Sequence, residues 1–146
     1  MKTIKDQLSK YLEITDGGQL HWTVGIEVGR DRPNRSLWLS QKAYIEAILQ
    51  RYNCFNTHRS KSSIPFDPNV TLTTKDGPKT PEDIAYMRNK PYREALGALM
   101  YCAVATRPDI SFSVSQLSKF SSNPGRKHWN ALCKVYAYLK IGRAHV

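Results

Sequence analysis

Arg93, Gly97 and Tyr101 fall four residues apart in the stretch "PYREALGALMYCAVATRPDI", residues 91–110, with Lys90 one turn earlier. At that spacing they share one side of a helix. Lys90 and Arg93 can meet phosphate oxygens, and Tyr101 offers an aromatic face and a hydroxyl to a sugar edge. Gly97 removes the side chain that would hold the helix away from a sugar–phosphate wall. A glycine in mid-helix costs about 1 kcal/mol against alanine. Two readings of the stripe stay open on the residues alone. Gly97 faces a ligand, or it permits a close helix–helix contact with Tyr101 as a core residue.

Catalytic chemistry is harder to find. The aspartates are Asp6, Asp16, Asp31, Asp67, Asp76, Asp83 and Asp109. No two are adjacent, so no pair or trio is placed by sequence to hold two metal ions about 3.5–4 Å apart. Asp16 reads as a turn residue. Asp109 reads as part of a capping signature with Thr106, around Arg107-Pro108. No Ser/His/Asp or Cys/His constellation and no glycine-rich phosphate loop is present. Cys54 and His58 could be paired with His128 and Cys133 as a zinc site, but neither half has a tight finger spacing. Catalytic and metal-binding residues are therefore not expected in this segment.

The charge balance points to a polyanion. Lys and Arg total 22 against 12 Asp and Glu, a net charge of +10, spread over the whole chain. Nucleic acid is the commonest partner for such a domain, and a basic surface that serves only solubility is the alternative. No apolar run approaches the ~20 residues of a membrane span. The start "MKTIKD" has no apolar signal core, so an intracellular, non-secreted protein with no membrane partner is expected. The odd count of 3 cysteines fits reduced thiols.

The elements that must position the stripe follow from periodicity. Residues 2–13 read as an amphipathic helix through Ile4, Leu8, Tyr11 and Leu12, broken at Asp16-Gly17-Gly18. "QLHWTVGIEVG", residues 19–29, reads as a strand, "RDRPN" as a turn and "RSLWLS" as the return strand, so 19–40 form a β-hairpin. Ser40 is the expected N-cap of a helix with Tyr44, Ile45, Ile48, Leu49 and Tyr52 on one face. Residues 53–79 read as a long loop, either mobile or functional. Thr80 caps the next helix, with Pro81 at its first position. Tyr92, Leu96, Leu99, Met100 and Ala103 form the apolar face of the helix that carries the stripe. Two further helices place Ile110, Val114 and Leu117, then Trp129, Leu132, Cys133, Tyr136 and Leu139, inward. The fold class expected is α+β and mostly helical.

These residues also match a family. "GQLHWTVGIEVGRDR", "LWLSQKAYIEAILQRYN", "IPFDPNVTLT", "PYREALGALMYCAVATRPDISFSVSQLSKFSSNP" and "KHWNALCKVYAYLK" resemble, in order, the C-terminal part of the reverse transcriptase of Copia-type LTR retrotransposons, within its Gag-Pol polyprotein. The resemblance covers about residues 4–140. "LSQ-x-x-Y-I", "G-x-L-M-Y" and "T-R-P-D-I" are specific in combination. Gly17-Gly18 and Val24 are mild departures, where the family usually has Leu-Gly and Leu.

The resemblance implies an end of the palm with a primer-grip-like hairpin over 1–40, whose Val24-Gly25 presses on the primer's terminal backbone. It implies a thumb and connection region over 41–140, whose helix with Lys90, Arg93, Gly97 and Tyr101 lies on the minor groove of a template–primer duplex, DNA or RNA–DNA hybrid. It favours the ligand-facing reading of Gly97. It places the metal-binding Tyr-x-Asp-Asp turn, and hence Mg²⁺ for the parent polymerase, upstream, and the RNase H carboxylates downstream. No cofactor is then expected in this segment, which is expected to be inactive alone. Its partners would be the duplex and the rest of the polyprotein, namely upstream palm and fingers and downstream RNase H. A stand-alone or decayed element-derived nucleic-acid-binding module is the alternative. The last residues, "IGRAHV" (141–146), resemble the translated start of a sequencing adapter. On that expectation Arg143 is not native and the net charge is +9 rather than +10.

Overall fold

The computed structural model describes residues 2–53 and 63–142, with side chains from residue 4 to 53 and from 63 to 141. Contacts divide the chain into two compact units, residues 1–39 and 40–146.

In the first unit a short helix, α1 (Lys2–Leu8), precedes three strands, β1 (Trp22–Thr23), β2 (Ile26–Asp31) and β3 (Ser36–Ser40). They form an antiparallel sheet in the order β1-β2-β3. The helix expected over 2–13 is shorter, because residues 9–12 continue only as hydrogen-bonded turns. Its apolar residues Ile4, Leu8 and Leu12 are exposed.

The single strand expected over 19–29 is divided. Trp22 pairs with Glu27 and Thr23 with Ile26, so Val24-Gly25 is itself a two-residue hairpin turn. Both turn residues have positive φ, 50° for Val24 and 79° for Gly25, the combination that a type I′ turn requires. A β-branched residue disfavours that conformation, which is why the sequence concealed the turn. On β2, Gly29 makes room for the Trp38 indole of β3. A Cβ built at Gly29 would lie 1.9 Å from the ring.

The second unit is helical: α2 (Lys42–Tyr52), α3 (Pro81–Arg88), α4 (Tyr92–Ala105), α5 (Ser111–Ser118) and α6 (Arg126–Gly142). The α+β, mostly helical class is as expected. Its core joins Ile45, Ile48 and Leu49 of α2 to Leu96 and Leu99 of α4, Val114 and Leu117 of α5, and Trp129, Leu132, Cys133, Tyr136 and Leu139 of α6. Two buried tyrosines of this core keep their hydroxyls hydrogen-bonded. Tyr92 donates to the Leu117 carbonyl at 2.9 Å and Tyr136 to that of Ala95 at 2.8 Å. Each replaces a hydrogen bond to water that burial removed.

Two helix termini differ from the expected caps, and one agrees. The N-cap of α2 is Gln41, one residue beyond Ser40. Ser40 still belongs to β3, and its hydroxyl accepts from the Lys42 N–H at 3.3 Å. Thr80 caps α3 as expected, accepting from the Asp83 N–H at 3.2 Å. Thr106 and Asp109 do not form the expected capping signature. Thr106 donates instead to Gln41 Oε1 at 2.7 Å. Asp109 accepts from Arg107 Nε and Nη2, at 2.9 and 2.7 Å, and from the Tyr138 hydroxyl at 2.8 Å. A bidentate, charge-assisted pair competes successfully with a single N–H cap. Pro108 still separates the helices, as the first residue of a 3₁₀ turn, Pro108–Ile110.

The described part of the long loop, residues 63–79, is pinned to α6. Asp67 pairs with Lys134 at 3.1 Å and Asp76 with Lys127 at 2.6 Å. Gly125 lies against the Asp76 carbonyl, where a Cβ would come within 1.9 Å. His128 is fully buried, stacked on Phe120, and accepts from the Gly125 N–H through Nδ1 at 2.8 Å. Its Nε2 lies 3.2 Å from the Thr73 carbonyl. With both ring nitrogens engaged, His128 has no lone pair to offer zinc. Cys133 lies in the core, and Cys54 and His58 fall outside the described residues.

Candidate nucleic-acid interface

Helix α4 is the centre of the second unit, and the packing of its opposite sides decides what it presents. Tyr92, Ala95, Leu96, Leu99, Cys102 and Ala103 are buried. Arg93, Gly97, Met100 and Val104 fall on the other side, four, three and four residues apart, and all are exposed. A Cβ built on Gly97 would meet nothing within 4 Å. The glycine is therefore not accommodating a neighbouring helix. Gly29 and Gly125, by contrast, are packed too closely against neighbours to admit a Cβ.

Met100 was expected in the apolar core face, but it is 45 % exposed, and Val104 is 83 % exposed. Leu99, just before Met100, and Ala103, just before Val104, already fill the buried stripe, and a helix residue one position away points about 100° elsewhere. The 93–97–100–104 spacing was the signal that would have revealed this second face.

The flanking residues are held in place. Arg93 Nε donates to the Ser121 carbonyl at 2.7 Å. Lys90 places its ammonium over two rings, 4.8 Å from the centre of Tyr86 and 5.6 Å from that of Trp129. Tyr101 is half-buried and meets the Tyr44 ring edge-on at 4.9 Å. The structure thus brings Arg93, Gly97 and Tyr101 onto one helix side, with Lys90 immediately before its first turn. Val24 and Gly25 lie in the other unit, at a hairpin tip where Val24 is 82 % exposed. Among the described residues no group of three or more His, Cys, Asp or Glu side chains could hold a metal ion. No described helix is long and apolar enough to cross a membrane.

Comparison with known proteins gives the setting. The chain is 39 % identical over 137 residues to the retrovirus-related Pol polyprotein from transposon TNT 1-94 of Nicotiana tabacum, covering 94 % of this chain and 10 % of that protein. It is 34 % identical to the corresponding polyproteins from transposons RE2 and RE1 of Arabidopsis thaliana. These matches cover 95 % and 92 % of this chain, and 9 % and 8 % of the relatives. Its homologues over most of its length are thus Copia-type retrotransposon Pol polyproteins. The chain spans about a tenth of the length of the first of them. No family model matches the chain, and no solved structure does so.

Proposed function

We propose that this chain is the segment of a retrotransposon reverse transcriptase that holds the template–primer duplex, without supplying the carboxylates that add nucleotides. The single observation that carries the reading is the open face at Gly97. A helix bearing an arginine, a gap, a thioether and an aromatic ring can lie closely against sugars while a cation meets phosphate. Such contacts read shape rather than base sequence, as a polymerase needs. The net charge of +10 supports it.

The Val24-Gly25 tip supports a second contact, as the resemblance to a primer grip implies. Left-handed backbone at an L-residue costs roughly 1–2 kcal/mol, so the strained, exposed Val24 is kept against local preference, and such outliers concentrate at functional sites. The described residues offer no fit to the Mg²⁺ of the parent polymerase, and no step of nucleotide addition is assigned to them.

Exposed Val104 and Phe112 support a protein contact as well, which we assign to the rest of the polyprotein. The upstream palm and fingers and the downstream RNase H are the partners proposed. Duplex binding is tested by fluorescence anisotropy with labelled DNA and RNA–DNA duplexes across a salt series. Weak, sequence-independent binding is expected, with a log–log salt slope of about −0.9 per neutralised phosphate. A flat salt response, or a strong preference for one sequence, contradicts the reading.

A further inference from the structure

The geometry points to a second phosphate-binding site in the first unit, formed by Arg30, Arg32 and Arg35 at the β2–β3 turn and taking the phosphodiester backbone of nucleic acid. The three arginines line one recess of about 290 Å³ with Ser36. Arg30 lies on β2, and Arg32 follows the strand's last residue in the turn. Arg35 closes the turn just before β3. All three are exposed.

The turn is built so that their charge is left over. Asp31 is the one acid lining the recess, and it is occupied within the turn. Its Oδ1 accepts from the Asn34 N–H at 3.2 Å and its Oδ2 from the Asn34 side-chain amide at 2.7 Å. The Arg35 N–H donates to the Arg32 carbonyl at 3.2 Å, closing a turn with Pro33 at its second position. Among the described residues, none of the three guanidiniums has a hydrogen bond or an ion pair with a carboxylate.

Arg35 adds an independent observation. Its φ is 51°, the left-handed position after a tight turn that glycine fills by default. Arginine holds that backbone at a conformational penalty, and its side chain goes to the recess. Three forked cations around an opening, with the local acid diverted, suit closely spaced phosphate oxygens. The inference rests on the proposed duplex-holding role only for the identity of the polyanion.

The test uses the full chain and a labelled 20-base-pair DNA duplex in a salt series. In the triple variant Arg30→Gln, Arg32→Gln, Arg35→Gly, the log–log slope should fall in magnitude by about two to three, roughly one per lost phosphate contact. The circular dichroism melt should stay the same or rise, since Arg35→Gly relieves the backbone. Arg35→Gly alone should lower the slope by about one with the same melt, which keeps the test valid if the triple variant misfolds. A triple variant of equal charge, Lys75→Gln, Lys79→Gln, Lys119→Gln, should leave the slope nearer the parent's. A parental slope in the arginine variants, or an equal loss in the lysine variant, overturns the site while leaving the duplex-holding role intact. Absence of duplex binding by the parent chain overturns both.

Discussion

Arg93 Nε donates to the Ser121 carbonyl at 2.7 Å, a contact that spans 28 positions and ties the first turn of α4 to the link between α5 and α6. The guanidinium is thereby held at one nitrogen rather than left to sweep solvent. One of its N–H groups is used, and arginine has five. A positioned fork meets a phosphate at a smaller entropic penalty than a free side chain would.

Arg93→Ala should therefore lower the salt slope of duplex binding by about one unit. Arg93→Lys should recover the slope but not the full affinity, since a lysine keeps the charge without the fork. The measurement is anisotropy at four or more salt concentrations. An Arg93→Ala slope equal to the parent's would show that Arg93 serves only Ser121.

Tyr101→Ala removes one ring of the edge-on pair with Tyr44. Aromatic pairs contribute roughly 0.5–1.5 kcal/mol beyond area burial, so the melt should fall modestly and duplex binding should weaken with it. Tyr44→Leu should lower the melt and leave binding largely intact. Equal effects of the two on binding would place Tyr101 in the core alone.

Gly29→Ala should disorder the first unit and spare the second. The added Cβ falls on the Trp38 indole, and an overlap that deep must expel the ring rather than shift it. Tryptophan fluorescence should move to the red, while far-UV helicity stays near the parent's. An unchanged spectrum would show that Trp38 does not lie over Gly29.

How much of this was legible in the sequence differs from element to element. The core positions of α4, α5 and α6 were readable because a buried face must recur with the helical period, and Leu99, Leu117 and Leu132 have nowhere else to go. Met100 is not legible in the same way, because in one dimension an exposed apolar residue looks the same as a buried one. The turn at Val24-Gly25 was hidden by a residue that opposes its own backbone conformation. Thr106 and Asp109 carried a genuine capping pattern, but partners distant in sequence, Gln41 and Tyr138, and the adjacent Arg107 took those side chains. Gly97 was visible as an anomaly, and only the neighbours of its missing Cβ could say whether it faced a helix or open space.

Acid should destabilise the second unit in two stages. Burial lowers the pKa of His128 below its ordinary 6.5, so the neutral ring is the folded form and the unfolded chain binds more protons. Stability from this group is present above about 6.5 and declines as pH falls from there toward the lowered folded-state pKa. The hydrogen bond from Lys127, with those from Thr73, holds Asp76 well below its ordinary 3.8. Its share is present above about 4 and is lost at lower pH. Urea melts between pH 7 and pH 3 check this, and a flat profile from pH 7 to pH 5 would contradict the His128 assignment.

The measurement that tests the account most directly is duplex affinity and thermal stability taken together on Gly97→Leu. Leucine is the better helix former by several tenths of a kcal/mol, and a Cβ at this position meets nothing within 4 Å. The account predicts a melt that holds or rises while duplex affinity drops roughly tenfold, about 1.4 kcal/mol. A melt that falls sharply together with affinity would contradict it, and so would a variant that binds duplex as tightly as the parent.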